Sequence, residues 1–86
     1  MHTVELLDQA LDLAGRLDYS VRQEWLNGNS GGGCVLQGRK LLFVDLALGP
    51  ADQLEQVVDA LRHDPDAVAL PMPAELRELL VVRKSA

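Results

Sequence analysis

Residues 41–46 read LLFVDL. As a strand, this run places Leu42, Val44 and Leu46 on one face and Leu41, Phe43 and Asp45 on the other, so both faces are apolar. Antiparallel sheets commonly keep one face in water. The run therefore predicts a sheet with helices on one face and an apolar surplus left over for a second cover or a dimer contact. Leu42, Val44 and Leu46, with Trp25, are the candidate interface residues.

The flanking segments supply the helical cover. From Thr3 to Leu17 the series Val4, Leu7, Leu11, Ala14 and Leu6, Ala10, Leu13, Leu17 form one broad stripe, opposed by Glu5, Asp8, Gln9 and Asp12. Thr3 suits the N-cap and Asp18 a left-handed exit. A second helix is expected from Pro50 to about His63. Pro50 fits the first helical position, Asp52 the first turn, and Leu54, Val57, Val58 and Leu61 the i, i+3, i+4, i+7 pattern, with Pro65 as the stop. ALPMP, residues 69–73, reads as extended. A last helix follows, with Leu76, Leu79 and Leu80 as its seam and Arg83-Lys84 at its negative end.

Between the first two helices the period changes. Tyr19, Val21 and Trp25 alternate with Ser20, Arg22 and Glu24, as in a half-buried strand. CVLQ and KLLFVDL follow, joined at Gly38-Arg39 by a hairpin signal. The expected fold is α+β in one domain, residues 1–86: an N-terminal helix, a three-stranded antiparallel meander and two C-terminal helices packed on one face of the sheet.

The stretch NGNSGGGC, residues 27–34, raises the question of a phosphate cradle. A P-loop needs Lys and then Ser/Thr after its last glycine, with a helix following, but Gly33 is followed by Cys34 and Val35. The dinucleotide fingerprint fails as well, since Leu36 stands where its third glycine belongs. Asn27-Gly28 is a hairpin signal, so the glycines read as a turn between strands. Gly31, Gly32 and Gly33 as a ligand-contacting loop is the alternative.

Composition excludes some functions. An 86-residue chain buries only ~60% of its unfolded surface, and its core must be built of Leu and Val, because the aromatics are Tyr19, Trp25 and Phe43 alone. Domains this small often gain stability by dimerising. A net charge of −5 with scattered basic residues argues against nucleic acid, which needs Lys and Arg grouped against phosphates. The single cysteine, Cys34, fits a reducing compartment. The amphipathic, acid-bearing first thirty residues are unlike a signal peptide, and no apolar run suits a membrane span. A cytoplasmic protein is expected.

Candidate chemistry is sparse. Cys34 opens an apolar strand with no base beside it and reads as a small hydrophobe. Asp59 and His63, four residues apart on a helix, share one face opposite the apolar stripe, where they could hold a metal or each other. Zinc is the ion this alternative implies, with Cys34 or a C-terminal carboxylate completing the shell.

The order helix, strand, glycine-rich turn, strand, apolar strand ending in Asp, then Pro-led helix resembles the ImmA/IrrE-type metallopeptidases over residues 1–63. GGG at 31–33, LLFVD at 41–45 and GPADQ at 49–53 carry the likeness. It places the zinc motif H-E-x-x-H of that family on DALRH, residues 59–63. His63 matches its second histidine, but Asp59 stands for the first, and Ala60 for the glutamate that takes a proton from metal-bound water. Glu75 and Glu78 are the carboxylates left on the last helix. The resemblance thus implies a peptidase-like scaffold without its chemistry. The reading is a non-catalytic protein-interaction or regulatory module, homo-oligomeric, with no cofactor. Its alternative is a metal-binding domain or metal-dependent hydrolase using His63 and Asp59.

Overall fold

The computed structural model describes residues 3–26 and 32–81. Helix α1 spans Thr3–Arg16, followed by strands β1 (Ser20–Glu24), β2 (Gly32–Leu36) and β3 (Arg39–Asp45), helix α2 (Pro50–Arg62), a short 3-10 turn at Ala67–Ala69, and helix α3 (Ala74–Val81). The expected α+β order is present. Asn27-Gly28, Gly31 and Arg83-Lys84 lie outside the described residues.

The sheet corrects the expected meander. Its order is β1-β3-β2, with β1 parallel to β3 and β2 antiparallel to it. The physical reason lies in the strands themselves. The central strand is flanked on both edges, and β3 is the longest of the three, with large apolar side chains at both parities. In β1, Arg22, Gln23 and Glu24 suit an edge, and two glycines weaken β2 as a centre. β1 and β2 therefore lie on opposite sides of β3 and do not pair with each other. The hairpin is β2–β3, and its turn is Gln37-Gly38, one residue earlier than expected. Gln37 at φ 53° and Gly38 at φ 78° form a two-residue turn of the primed type, whose twist matches the strands.

Register assigns the faces. Val21 and Gly33 flank Leu42, and Gln23 flanks Val44, so these residues point toward the helices. Helices α1 and α2 pack on this face and on each other, while α3 lies against α1 and α2 rather than on the sheet. The core joins Leu6, Ala10, Leu13, Ala14 and Leu17 of the first helix and its exit to Leu42, Val44, Leu54, Val57, Val58, Leu61, Leu76 and Leu80. Leu42 and Val44 are fully buried there, so they are core rather than interface. Among the described elements none covers the opposite face, where Leu41 and Phe43 are half-buried and Cys34 and Leu36 exposed.

Local chemistry ends the helices where expected. Leu17 N–H donates to the Leu13 and Ala14 carbonyls, and Asp18 at φ 70° turns the chain out of α1 in the left-handed region. Pro50 opens α2 after Gly49, and the Gln53 side chain donates to Leu48 O at 2.8 Å. Beyond α2 two arginines tie the chain back. Arg62 donates to Leu79 O through Nε at 3.1 Å and Nη2 at 2.9 Å, and Arg77 donates to Val68 O and Leu70 O.

Candidate functional site

A cleft of about 370 Å³ opens between β2 and the C-terminal half of α2, lined by Tyr19, Gly33, Cys34, Val35, Asp59, Ala60 and His63. Glycine at 33 makes the close approach of strand and helix possible. A Cβ there would stand 3.1 Å from Ala60 Cβ and 3.7 Å from Leu41 O. That contact explains why Ala60 is buried although it lies outside the predicted apolar stripe of α2.

The structure brings the predicted pair Asp59 and His63 to the rim of this cleft, both exposed. Their link is to the backbone: His63 Nδ1 lies 2.8 Å from Asp59 O, which occupies one ring nitrogen. Among the described residues no group of three His, Cys, Asp or Glu side chains is placed to hold a metal ion. Ala60 supplies no base. The residues present therefore do not fit a zinc-peptidase centre. Cys34 also borders the cleft, but it pairs with Leu41, so its side chain points to the face away from α2, and among the described residues no hydrogen bond joins it to His63.

One end of the cleft is built on a cluster the sequence reading missed. Asp64, 8% exposed, accepts from Lys40 Nζ at 2.8 Å and Tyr19 Oη at 3.2 Å on one oxygen, and from Asp66 N–H at 2.9 Å on the other. Lys40 also donates to Leu17 O at 2.8 Å and lies 4.6 Å from the centroid of the Tyr19 ring. The Lys40 hydrogen bond holds the Asp64 carboxyl below the usual carboxylate range. The same bond holds Lys40 above the usual lysine value, and burial, reinforced by Asp64, pushes the Tyr19 phenol up. A charged ammonium and a neutral phenol are poor nucleophiles, so this cluster fastens α1, β3 and the α2 exit together. The only sequence signal was the spacing of a lysine at the start of β3 from an aspartate just past α2, which has no meaning until the sheet order is known.

Asp45 plays the matching role at the other end of β3. Fully buried, it accepts from the Leu26 and Ala47 N–H groups, both at 2.9 Å, while its own N–H donates to Gln56 Oε1 at 2.9 Å. It anchors both β3's exit and the chain leaving β1.

The two sheet edges differ. On the β1 edge Arg22 pairs with Glu24 at 3.3 Å, and such charges discourage strand pairing. On β2, Val35 and Leu36 are 69% and 59% exposed, and no strand among the described residues pairs with its outer side. Trp25, 71% exposed, lies just beyond β1, and Leu46 is half-buried. Of the predicted glycine loop, Gly32 and Gly33 fall within β2, and Gly31 lies outside the described residues.

A smaller depression of about 290 Å³ on the open sheet face is lined by Ser20, Arg22, Leu36, Gln37, Arg39 and Leu41. No helix among the described residues is long and apolar enough to cross a membrane. No family model, curated protein or solved structure matches the chain.

Proposed function

We propose that this chain is a non-catalytic protein-interaction module that takes up an extended strand on the outer edge of β2. The observation that carries this reading is the β2 edge itself: an apolar, charge-free strand whose outer side pairs with no strand among the described residues, with a cleft alongside. Strand addition uses main-chain hydrogen bonds for affinity and pockets for alternate side chains for selectivity, and both are available at β2. Natural sheets blunt exposed edges with lysine, proline or bulges. Residues 32–36, GGCVL, have none of these residues, whereas β1 has its ion pair.

The polarity of the edge follows from the hairpin. Leu36 and Arg39 flank the two-residue turn and form the hydrogen-bonded pair. Alternation then directs the N–H and C=O groups of Gly32, Cys34 and Leu36 toward β3 and those of Gly33 and Val35 outward. A cytoplasmic setting, in which Cys34 remains a thiol, suits the module. With −5 net charge, its partners are proteins rather than nucleic acid.

The test is panning of a displayed random-peptide library against the full chain, with binding mapped by amide chemical shifts. Selected peptides should be extended and apolar at alternate positions, and should move the Gly33 and Val35 amides together with Tyr19, Ala60 and His63. Peptides that bind elsewhere, or unchanged binding in Val35→Pro, would overturn the reading.

A further inference from the structure

Resting on that reading of the β2 edge, we infer that its occupant is a second copy of β2, paired antiparallel about a two-fold axis that passes beside Cys34. The strand is five residues long and Cys34 is its centre. Pairing about Cys34 sets Val35 opposite the partner's Gly33 and Leu36 opposite the partner's Gly32. The two large exposed side chains thus meet the two positions with no side chain, and the strand is complementary to itself. Moving the axis by one residue, to Gly33 or Val35, loses this large-against-small match and removes two residues of each five-residue strand from the pairing.

Hydrogen bonding gives the same axis. The outward groups of β2 belong to Gly33 and Val35, so Gly33 and the partner's Val35 form one hydrogen-bonded pair and Val35 with the partner's Gly33 the other. Each such pair exchanges both of its N–H···O bonds. Cys34 and the partner's Cys34 become the non-hydrogen-bonded pair between them, with Cα atoms about 4.5 Å apart.

Side-chain faces agree as well. Gly33 faces Ala60 on the helix side, so the partner's Val35 enters on that side, at the mouth of the 370 Å³ cleft. Each copy brings one carboxylate, Asp59, and one imidazole, His63, to that rim, so the isologous contact pairs unlike groups in both directions. The product is one six-stranded sheet with both helical layers on the same face, and its ends are the charged β1 edges. A five-residue edge and one small cleft lie at the low end of specific interfaces, so the dimer is reversible.

Sedimentation equilibrium of the full chain from roughly 10 μM to 1 mM should show the mass rising from 9.4 kDa toward twice that value. Val35→Pro removes an outward N–H and leaves the bonds to β3, which Cys34 and Leu36 make. Val35→Arg adds a charge to the edge and serves as the second variant should the proline affect folding, which circular dichroism monitors. Both should remain monomeric, and Cys34→Ala should associate like wild type. Diamide, which takes up the two protons and two electrons of the thiols, should form the Cys34–Cys34 disulfide at least tenfold faster in wild type than in Val35→Arg. A wild-type monomer at the highest concentration, with disulfide formation no faster than in the variant, overturns the second-copy inference. If peptides still bind at Gly33 and Val35, the strand-addition reading survives that result. A dimer indifferent to both Val35 substitutions forms through another surface and overturns the second-copy inference, while the strand-addition reading falls only if peptides fail to bind at Gly33 and Val35.

Discussion

Replacing Asp64 with alanine tests whether the Lys40–Asp64–Tyr19 cluster holds the fold. The substitution removes the acceptor for Lys40 at 2.8 Å, for Tyr19 at 3.2 Å and for the Asp66 N–H at 2.9 Å. A hydrogen bond to a charged group contributes about 1.5–3 kcal/mol and a neutral one about 0.5–1.5. The Lys40 side chain is 29% exposed and keeps Leu17 O, so water recovers part of its loss, as does removal of a buried carboxylate's desolvation. The expected cost is about 2–3 kcal/mol, a fall in Tm of about 10–20 °C for a domain of this size. Urea unfolding at constant m-value measures it. The pH dependence adds a second check. Asp64 has a lowered folded-state pKa, so its stabilisation is present above the unfolded value of about 3.9 and is lost as pH falls through the folded value. Lys40 and Tyr19 are raised, so their share is full below about 10 and is lost as pH climbs through their folded values. The gap between wild type and Asp64→Ala should therefore be flat from about pH 5 to 9 and close at both ends. A gap below about 0.5 kcal/mol at neutral pH, or one that persists undiminished into acid, would refute the reasoning.

Three further outcomes are expected. Gln37→Asn places the residue most tolerant of positive φ, glycine apart, where Gln37 now sits at φ 53°; chemical denaturation should show a gain of about 0.5–1 kcal/mol. Leu42→Ala empties the fully buried centre of the sheet and should cost about 2–5 kcal/mol, leaving the chain largely unfolded by circular dichroism at 37 °C. Calorimetric titration of chelator-stripped protein with zinc should give no stoichiometric binding, and His63→Ala should be indistinguishable from it. One tight site lost in that variant would reinstate the metal reading.

Periodicity made the helices legible because each buries one stripe: α1, α2 and the Leu76–Leu80 seam of α3 follow from it. The strands themselves were legible by alternation, but their order was not. Alternation states which residues share a face and is silent on which strand is a neighbour. The apolarity of LLFVDL at both parities was the available clue to a central strand, and the surplus it predicts is the face of Leu41 and Phe43, which no described element covers. Parity alone does not say which face the helices take, and it is Leu42 and Val44 that lie beneath them. At the site, the helical spacing of Asp59 and His63 did predict their common face. The Lys40–Asp64–Tyr19 cluster could not be found, because its members meet only once β3 lies between β1 and β2.

The sheet order also sets a waiting time during synthesis. Ser20 of β1 has its partner at Leu41, so β1 leaves the ribosome with nothing to pair with until the third strand has been made. At about 5–20 residues per second, those twenty-odd residues take about 1–4 s. Through that interval β1 presents Arg22, Gln23 and Glu24, a polar segment with little tendency to associate with a neighbouring nascent chain. The apolar strand, β3, emerges directly behind the β2 hairpin arm that can cover one of its edges within microseconds. The order of strands along the chain therefore keeps the stickiest segment from being the one that waits.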